Sequence, residues 1–272
     1  ITSMSTKTIV HKGLFVGDEV KDFYLDLQDD EFISEFAVFH QRFSTNTFPS
    51  WPLAQPFRMM AHNGEINTIQ GNRNWMRARE FAEQGRSWVP EDHALGNFIM
   101  PGRSDSATFD NALETYVFGG RGIYHSIVHM MPEAWQNKVQ IDDDLKAFYE
   151  YHACMAEHWG GPAAISFSDG KYVGAIVDRN GLRPARYKIT KDHLFVCSEM
   201  GCVDFPDDQV VENGKLSPGT VILINLKRNK ISKNEDVKFS LADQQPYAQW
   251  VEQQLVKVDE VVRAKGNSIY QQ

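Results

Sequence analysis

Along the chain, apolar and polar residues alternate in ways that predict a series of short elements. Phe36-Ala37-Val38-Phe39 makes Ser34 to Phe43 read as a strand, and the Ser-, Thr-, Asn- and Pro-rich stretch from Ser44 to Gln55 reads as a loop. Met59-Met60-Ala61 predicts a short buried strand ending at His62-Asn63-Gly64. Asn67 to Gly85 then suits a helix carrying Ile69, Trp75, Met76 and Phe81 toward a core. A further helix is predicted through Ala112, Leu113 and Tyr116, with Ser104 or Asp105 able to cap its start, and another from Asp142 to His158.

From Ala163 the periodicity changes from helical to alternating. Ala164 to Phe167, Tyr172 to Val177, Ala185 to Ile189, His193 to Cys197 and Thr220 to Asn225 read as strands. Turn signals stand at Ser168-Asp169-Gly170 and Arg179-Asn180-Gly181. Helices in the first half and mostly strands in the second predict an α+β fold. After about Asn229 the chain turns polar. Pro246 then opens an amphipathic stripe of Tyr247, Trp250, Val251, Leu255, Val258 and Val262. The expected partition is a main domain over residues 1–230, then a linker and amphipathic helix over 231–272 leading toward a following domain, the stripe packing on this domain or, by preference, on the one that follows.

Composition narrows the function. The chain has 272 residues, 42% of them apolar, enough for a sizeable core. A formal net charge of −8 argues against nucleic acid or an anionic membrane as partner. No apolar run approaches the roughly 20 residues of a membrane span. Three cysteines, Cys154, Cys197 and Cys202, are too few for a disulfide framework and are expected as packed thiols in an intracellular protein. The spacings of His125 and His129, and of His152 and His158, form no metalloprotease motif, so no metal site is expected.

Three constellations could carry chemistry. Arg42, in His40-Gln41-Arg42-Phe43-Ser44-Thr45-Asn46-Thr47, could bind a carboxylate bidentately or staple a loop. Asn63 and Gly64 offer a side-chain amide and a backbone N–H side by side, a pair that could hold an oxyanion; Asn-Gly is equally a common turn. Asp105, in Pro101-Gly102-Arg103-Ser104-Asp105-Ser106, could receive an ammonium group or cap a helix. A free amino acid needs an anionic site, a cationic site and a site for its side chain. These three segments supply one each.

Longer strings carry a resemblance. Arg42-Phe43-Ser44-Thr45-Asn46-Thr47-Phe48-Pro49-Ser50-Trp51, Ala61-His62-Asn63-Gly64-Glu65-Ile66-Asn67-Thr68 and Gly71-Asn72-Arg73-Asn74-Trp75-Met76 resemble the amidotransferase domain of the glutamate synthases. Pro132-Glu133-Ala134-Trp135, Gly161-Pro162-Ala163-Ala164 and Asp178-Arg179-Asn180-Gly181-Leu182-Arg183-Pro184 continue the likeness. It implies an amino-terminal-nucleophile hydrolase fold, a four-layer sandwich with two antiparallel sheets between helical layers.

The resemblance also implies roles. Arg42 would hold the α-carboxylate of L-glutamine, with Thr45 lining the same pocket, Asp105 and the Gly102 carbonyl its α-ammonium, and Asn63 with Gly64 the oxyanion. The nucleophile of that family is an amino-terminal cysteine, whereas residue 1 here is Ile. The 272 residues alone are therefore expected to be inactive as a glutaminase. No cofactor is expected in this chain; FMN and an iron–sulfur cluster are implied for the full-length protein, with a small reductase subunit or ferredoxin as electron partner and a cytoplasmic or plastid location. The competing readings are a non-catalytic glutamine- or glutamate-binding module and another class II amidotransferase.

Overall fold

A computed structural model describes residues 3, 5–41, 48–83, 97–136, 138, 140–199, 201–258 and 261, with only the backbone of 81–83. The helices are α1 (Val20–Phe23), α2 (Ile69–Glu83), α3 (Asp105–Phe118), α4 (Ile123–Met130), α5 (Asp143–Met155), α6 (Asn234–Ala242) and α7 (Tyr247–Gln254). The strands are β1 (Met60–Gly64), β2 (Ala163–Ser168), β3 (Tyr172–Val177), β4 (Arg186–Thr190), β5 (Leu194–Cys197), β6 (Val210–Lys215), β7 (Val221–Asn225) and β8 (Lys230–Ser232). They form a five-stranded sheet, β1-β2-β3-β7-β8, and a three-stranded sheet, β5-β4-β6; every pairing is antiparallel.

The α+β expectation and the two antiparallel sheets are both observed. Because successive strand residues face opposite ways, the five-stranded sheet supplies two cores. Ile165, Phe167, Ile176, Val221 and Leu223 face the helices, joining Phe109, Leu113, Ile127, Phe148 and Leu241. Ala175, Val177 and Ile222 face the other way, with Ala185 and Leu216, and Tyr187, Leu194 and Val196 pack against them. Helices, large sheet and small sheet are thus stacked in that order.

Turn chemistry explains the hairpins. Between β2 and β3, Asp169 Oδ1 accepts from the N–H groups of Lys171 and Tyr172 at 2.9 and 2.8 Å, and Gly170 takes φ +76°. After β3, the buried Asp178 carboxylate accepts from the N–H groups of Ala163, Asn180, Leu182 and Arg183 at 3.0–3.1 Å. The Asp178–Pro184 string is therefore a loop organised around one carboxylate.

Some expectations are corrected. Residues 34–41 form no strand; β1 is bonded along its outer edge by Gln55 instead, whose side-chain amide donates to the His62 carbonyl at 2.9 Å and accepts from its N–H at 2.6 Å. In α2, Met76 is 1% exposed but Trp75 is 57% exposed. Positions 69, 72, 73 and 76 share one helical face, and Trp75 falls off it. The Tyr247–Trp250 part of the terminal stripe packs on this domain: Tyr247 is buried against Phe148 and Tyr151 of α5, and Trp250 packs on Tyr151. Cys197 and Cys202, expected as free thiols, are joined across the turn after β5, while Cys154 is free and exposed.

Candidate active site

The site forms where β1 ends. Gly64 pairs with Ala163 of β2 and has φ +141°; a Cβ there would lie 1.8 Å from the Pro162 carbonyl oxygen. Across the same gap, a Cβ on Gly161 would lie 1.9 Å from the Glu65 carbonyl oxygen, and the Glu65 N–H donates to Pro162 at 2.8 Å. Two backbones meet here without room for side chains.

Alternation along β1 sends its side chains to different layers. Ala61 and Asn63 face the space between the sheets, where a cavity of about 160 Å³ is bordered also by residues 37–40, Phe195, Cys197 and Ser198. Asn63 Nδ2 donates to Ser198 Oγ at 3.0 Å. His62 faces the helices, where its Nδ1 meets Ser106 Oγ at 2.8 Å while Nε2 is buried with no hydrogen-bond partner among the described residues. Burial drives the His62 imidazole down to about 4, although the nearby Asp105 carboxylate opposes the change. At neutral pH it is uncharged.

Asp105 is the first residue of α3, and its Oδ2 accepts the Ile66 N–H at 2.8 Å. The cap is Ser104, whose Oγ accepts from Ala107 N–H at 3.2 Å. A half-buried carboxylate is thereby fixed one short loop from Gly64. Gly102 lies in the preceding turn with φ +68°, exposed, beside a different depression of about 370 Å³ bordered by Gln70, Arg73 and Asn74. Arg42 and Thr45 lie outside the described residues.

Other recurring strings hold these loops together. Asn72, buried in α2, donates to the His158 carbonyl at 3.1 Å and accepts from Thr68 Oγ1 at 2.6 Å. Arg73 reaches the Arg103 carbonyl at 2.5 Å and Thr108 Oγ1 at 3.1 Å, tying α2 to the turn before Asp105. Sequence reasoning missed His62 and Ser106 as a pair, and Ser198 entirely; Ser198 lies 135 positions from its partner.

The sequence profile of the class-II glutamine amidotransferases matches residues 1–250. The chain belongs to that family. As an amidotransferase chain it is 46% identical over 258 residues to the glutamate synthase [NADPH] large chain of Bacillus subtilis, covering 94% of this chain and 17% of that protein. It is 46% identical to ferredoxin-dependent glutamate synthase 2 of Synechocystis, covering 92% and 16%. It is 41% identical to glutamate synthase [NADH] of Saccharomyces cerevisiae, covering 99% and 12%. The amidotransferase chain thus spans between 12% and 17% of these relatives' lengths. Among solved structures it is similar to the glutamine phosphoribosylpyrophosphate amidotransferase of B. subtilis at 16% identity and TM-score 0.40, covering 71% of this chain and 34% of that one.

Proposed function

We propose that this chain is the glutamine-binding part of the glutaminase region of a glutamate synthase. The observation that carries the reading is the end of β1: an amide side chain and a close-packed glycine backbone stand one loop from a fixed carboxylate, in a class-II amidotransferase chain. Arg42 receives the α-carboxylate of L-glutamine in a pocket that Thr45 lines, and Asp105 with the Gly102 carbonyl receives its α-ammonium. Asn63 Nδ2 and the Gly64 N–H then bind the oxygen of the tetrahedral intermediate. Donors aimed at that oxygen lower the barrier because they engage it more strongly as charge develops.

The attacking thiolate is the group the family takes from an amino-terminal cysteine, with the free α-amine accepting its proton. Cys154 is exposed on α5, and Cys197 is joined to Cys202. Neither presents a thiolate beside an α-amine, so neither supplies the attacking group.

In the synthase, the ammonia released goes to glutamate formation from 2-oxoglutarate. FMN and an iron–sulfur cluster supply its electron chemistry. This chain does not fit the cluster: it has three cysteines, two of them bonded to each other, against the usual set of about four thiolates. Both groups, with the small reductase subunit or ferredoxin, belong on this reading to the rest of the synthase, in the cytoplasm or, in a photosynthetic eukaryote, the plastid. The names of relatives dependent on NADPH, ferredoxin and NADH support the synthase assignment without distinguishing among donors.

Calorimetry with L-glutamine tests the reading. Wild type is expected to bind one molecule, and Arg42→Ala and Asp105→Asn each to weaken binding about tenfold or more, the scale of one charged hydrogen bond. Absence of binding by the wild type contradicts it.

A further inference from the structure

We infer that Ser198 is a positioning residue for the Asn63 amide, and that the small sheet thereby sets the geometry of the oxyanion site. The inference rests on the glutaminase reading above and adds a residue to its machinery.

An asparagine amide turns easily about its terminal torsion, and turning it over exchanges the donor Nδ2 for the acceptor Oδ1. Oδ1 facing a developing oxyanion would repel it. A neighbour hydrogen-bonded to Nδ2 restrains that torsion and holds the amide in the orientation the structure shows. Ser198 Oγ does so at 3.0 Å; this bond uses one of the two Nδ2 protons and leaves the other for substrate.

Ser198 is itself well held. It follows β5 directly, and the preceding Cys197 is paired with Arg186 of β4 and joined to Cys202 on the far side of the turn. Asn63 belongs to the five-stranded sheet and Ser198 to the end of the three-stranded one, so the bond spans the layers at the edge of the cavity they enclose. A hydroxyl carried on a strand end and a closed turn is a firmer reference than one on a free loop.

Because the oxyanion forms only in the reaction, loss of this alignment should lower kcat and spare KM. In the full-length synthase, Ser198→Ala is expected to reduce kcat for glutamine hydrolysis about tenfold, corresponding to one lost hydrogen bond, with KM within about twofold; Ser198→Thr, which keeps the hydroxyl, should recover most of the rate. In ¹⁵N spectra of the 272-residue chain, the Asn63 side-chain amide pair should shift and exchange faster in Ser198→Ala and remain near wild type in Ser198→Thr. Wild-type kcat in Ser198→Ala, or an unmoved Asn63 amide, overturns the inference. If the wild-type synthase does not hydrolyse glutamine, the glutaminase reading fails and the Asn63 amide alone decides whether Ser198 orients it.

Discussion

At Gly64 the backbone runs at φ +141° with the Pro162 carbonyl where a Cβ would sit. The Pro162 carbonyl belongs to main chain, and a Cβ is fixed directly on the Gly64 Cα, so neither can swing aside. Gly64→Ala is expected to cost about 3 kcal/mol or more, combining strain at a left-handed position with a forced separation of β1 and β2. Urea denaturation measures it; a loss below about 1 kcal/mol would show that the gap relaxes. Asp105 bears two demands, its charge and its bond to the Ile66 N–H. Asp105→Asn keeps an acceptor and removes the charge, whereas Asp105→Ala also strands the N–H and should cost about 1–3 kcal/mol. Thermal melting of the two variants separates structure from binding. Asn63-Gly64 and Asp105 were legible because local backbone demands mark them: a glycine beside an amide, and a carboxylate at a helix start. Ser198 was not, because its partner comes from another layer and nothing in Cys197-Ser198-Glu199 announces it. The paired His62 and Ser106 were hidden for the same reason.

Among the elements, the strand hairpins were legible through turn chemistry, and α3 and α5 through their apolar spacing and capping residues. The α4 helix was missed because it has only eight residues, about two turns, and starts at Gly122 with no side-chain cap to announce it. β6 was missed because its Asn213-Gly214 reads as a turn, yet it pairs with β4. α6 escaped notice in a polar stretch, although its Lys238 is 2% exposed. The Lys238 ammonium donates to Glu133 Oε1 at 2.8 Å and to the Gly219 carbonyl at 2.9 Å, while the Tyr149 hydroxyl donates to the same Glu133 oxygen at 3.0 Å. Lys138 pairs with the other oxygen. Burial lowers the Lys238 pKa, and Glu133 partly offsets the change. This cluster locks the Pro132–Trp135 string, α5 and α6 together. Removing one partner leaves a buried charge poorly matched, so Lys238→Ala is expected to lose about 3 kcal/mol in chemical denaturation. A loss under about 1 kcal/mol would mean that Lys138 and Tyr149 satisfy Glu133 without Lys238.

On the scale of the whole molecule, buried imidazoles set the response to acid. His125 and His152 meet at 2.7 Å through their Nε2 atoms, and His129 lies against His152 with neither ring nitrogen bonded among the described residues. Burial, with Arg121 close by, lowers His125 to about 4; burial lowers His152 to about 4 and His129 well below its ordinary value. His62 behaves likewise. Each folded pKa lies below the unfolded value near 6.5, so the unfolded chain binds more protons in that window. Stability from these groups is complete above about pH 6.5 and is lost as pH falls toward about 4. Asp110, raised to about 6 by burial, and Glu114, also raised by burial, act oppositely, but two carboxyls face five imidazoles, burial lowering His158 as well. The melting temperature is therefore expected to fall steadily between pH 6.5 and 4.5; a flat profile would mean that the histidines already carry protons when folded.

The central claim is that L-glutamine binds with its side chain at the end of β1, and ¹⁵N spectra recorded during a glutamine titration test it most directly. The account predicts saturable shifts at the Gly64 backbone amide and the Asn63 side-chain amide, absent with glutaramate, which keeps the side-chain amide and the carboxylate but lacks the ammonium that Asp105 would hold. Saturable shifts confined to other parts of the molecule, or none, would contradict it.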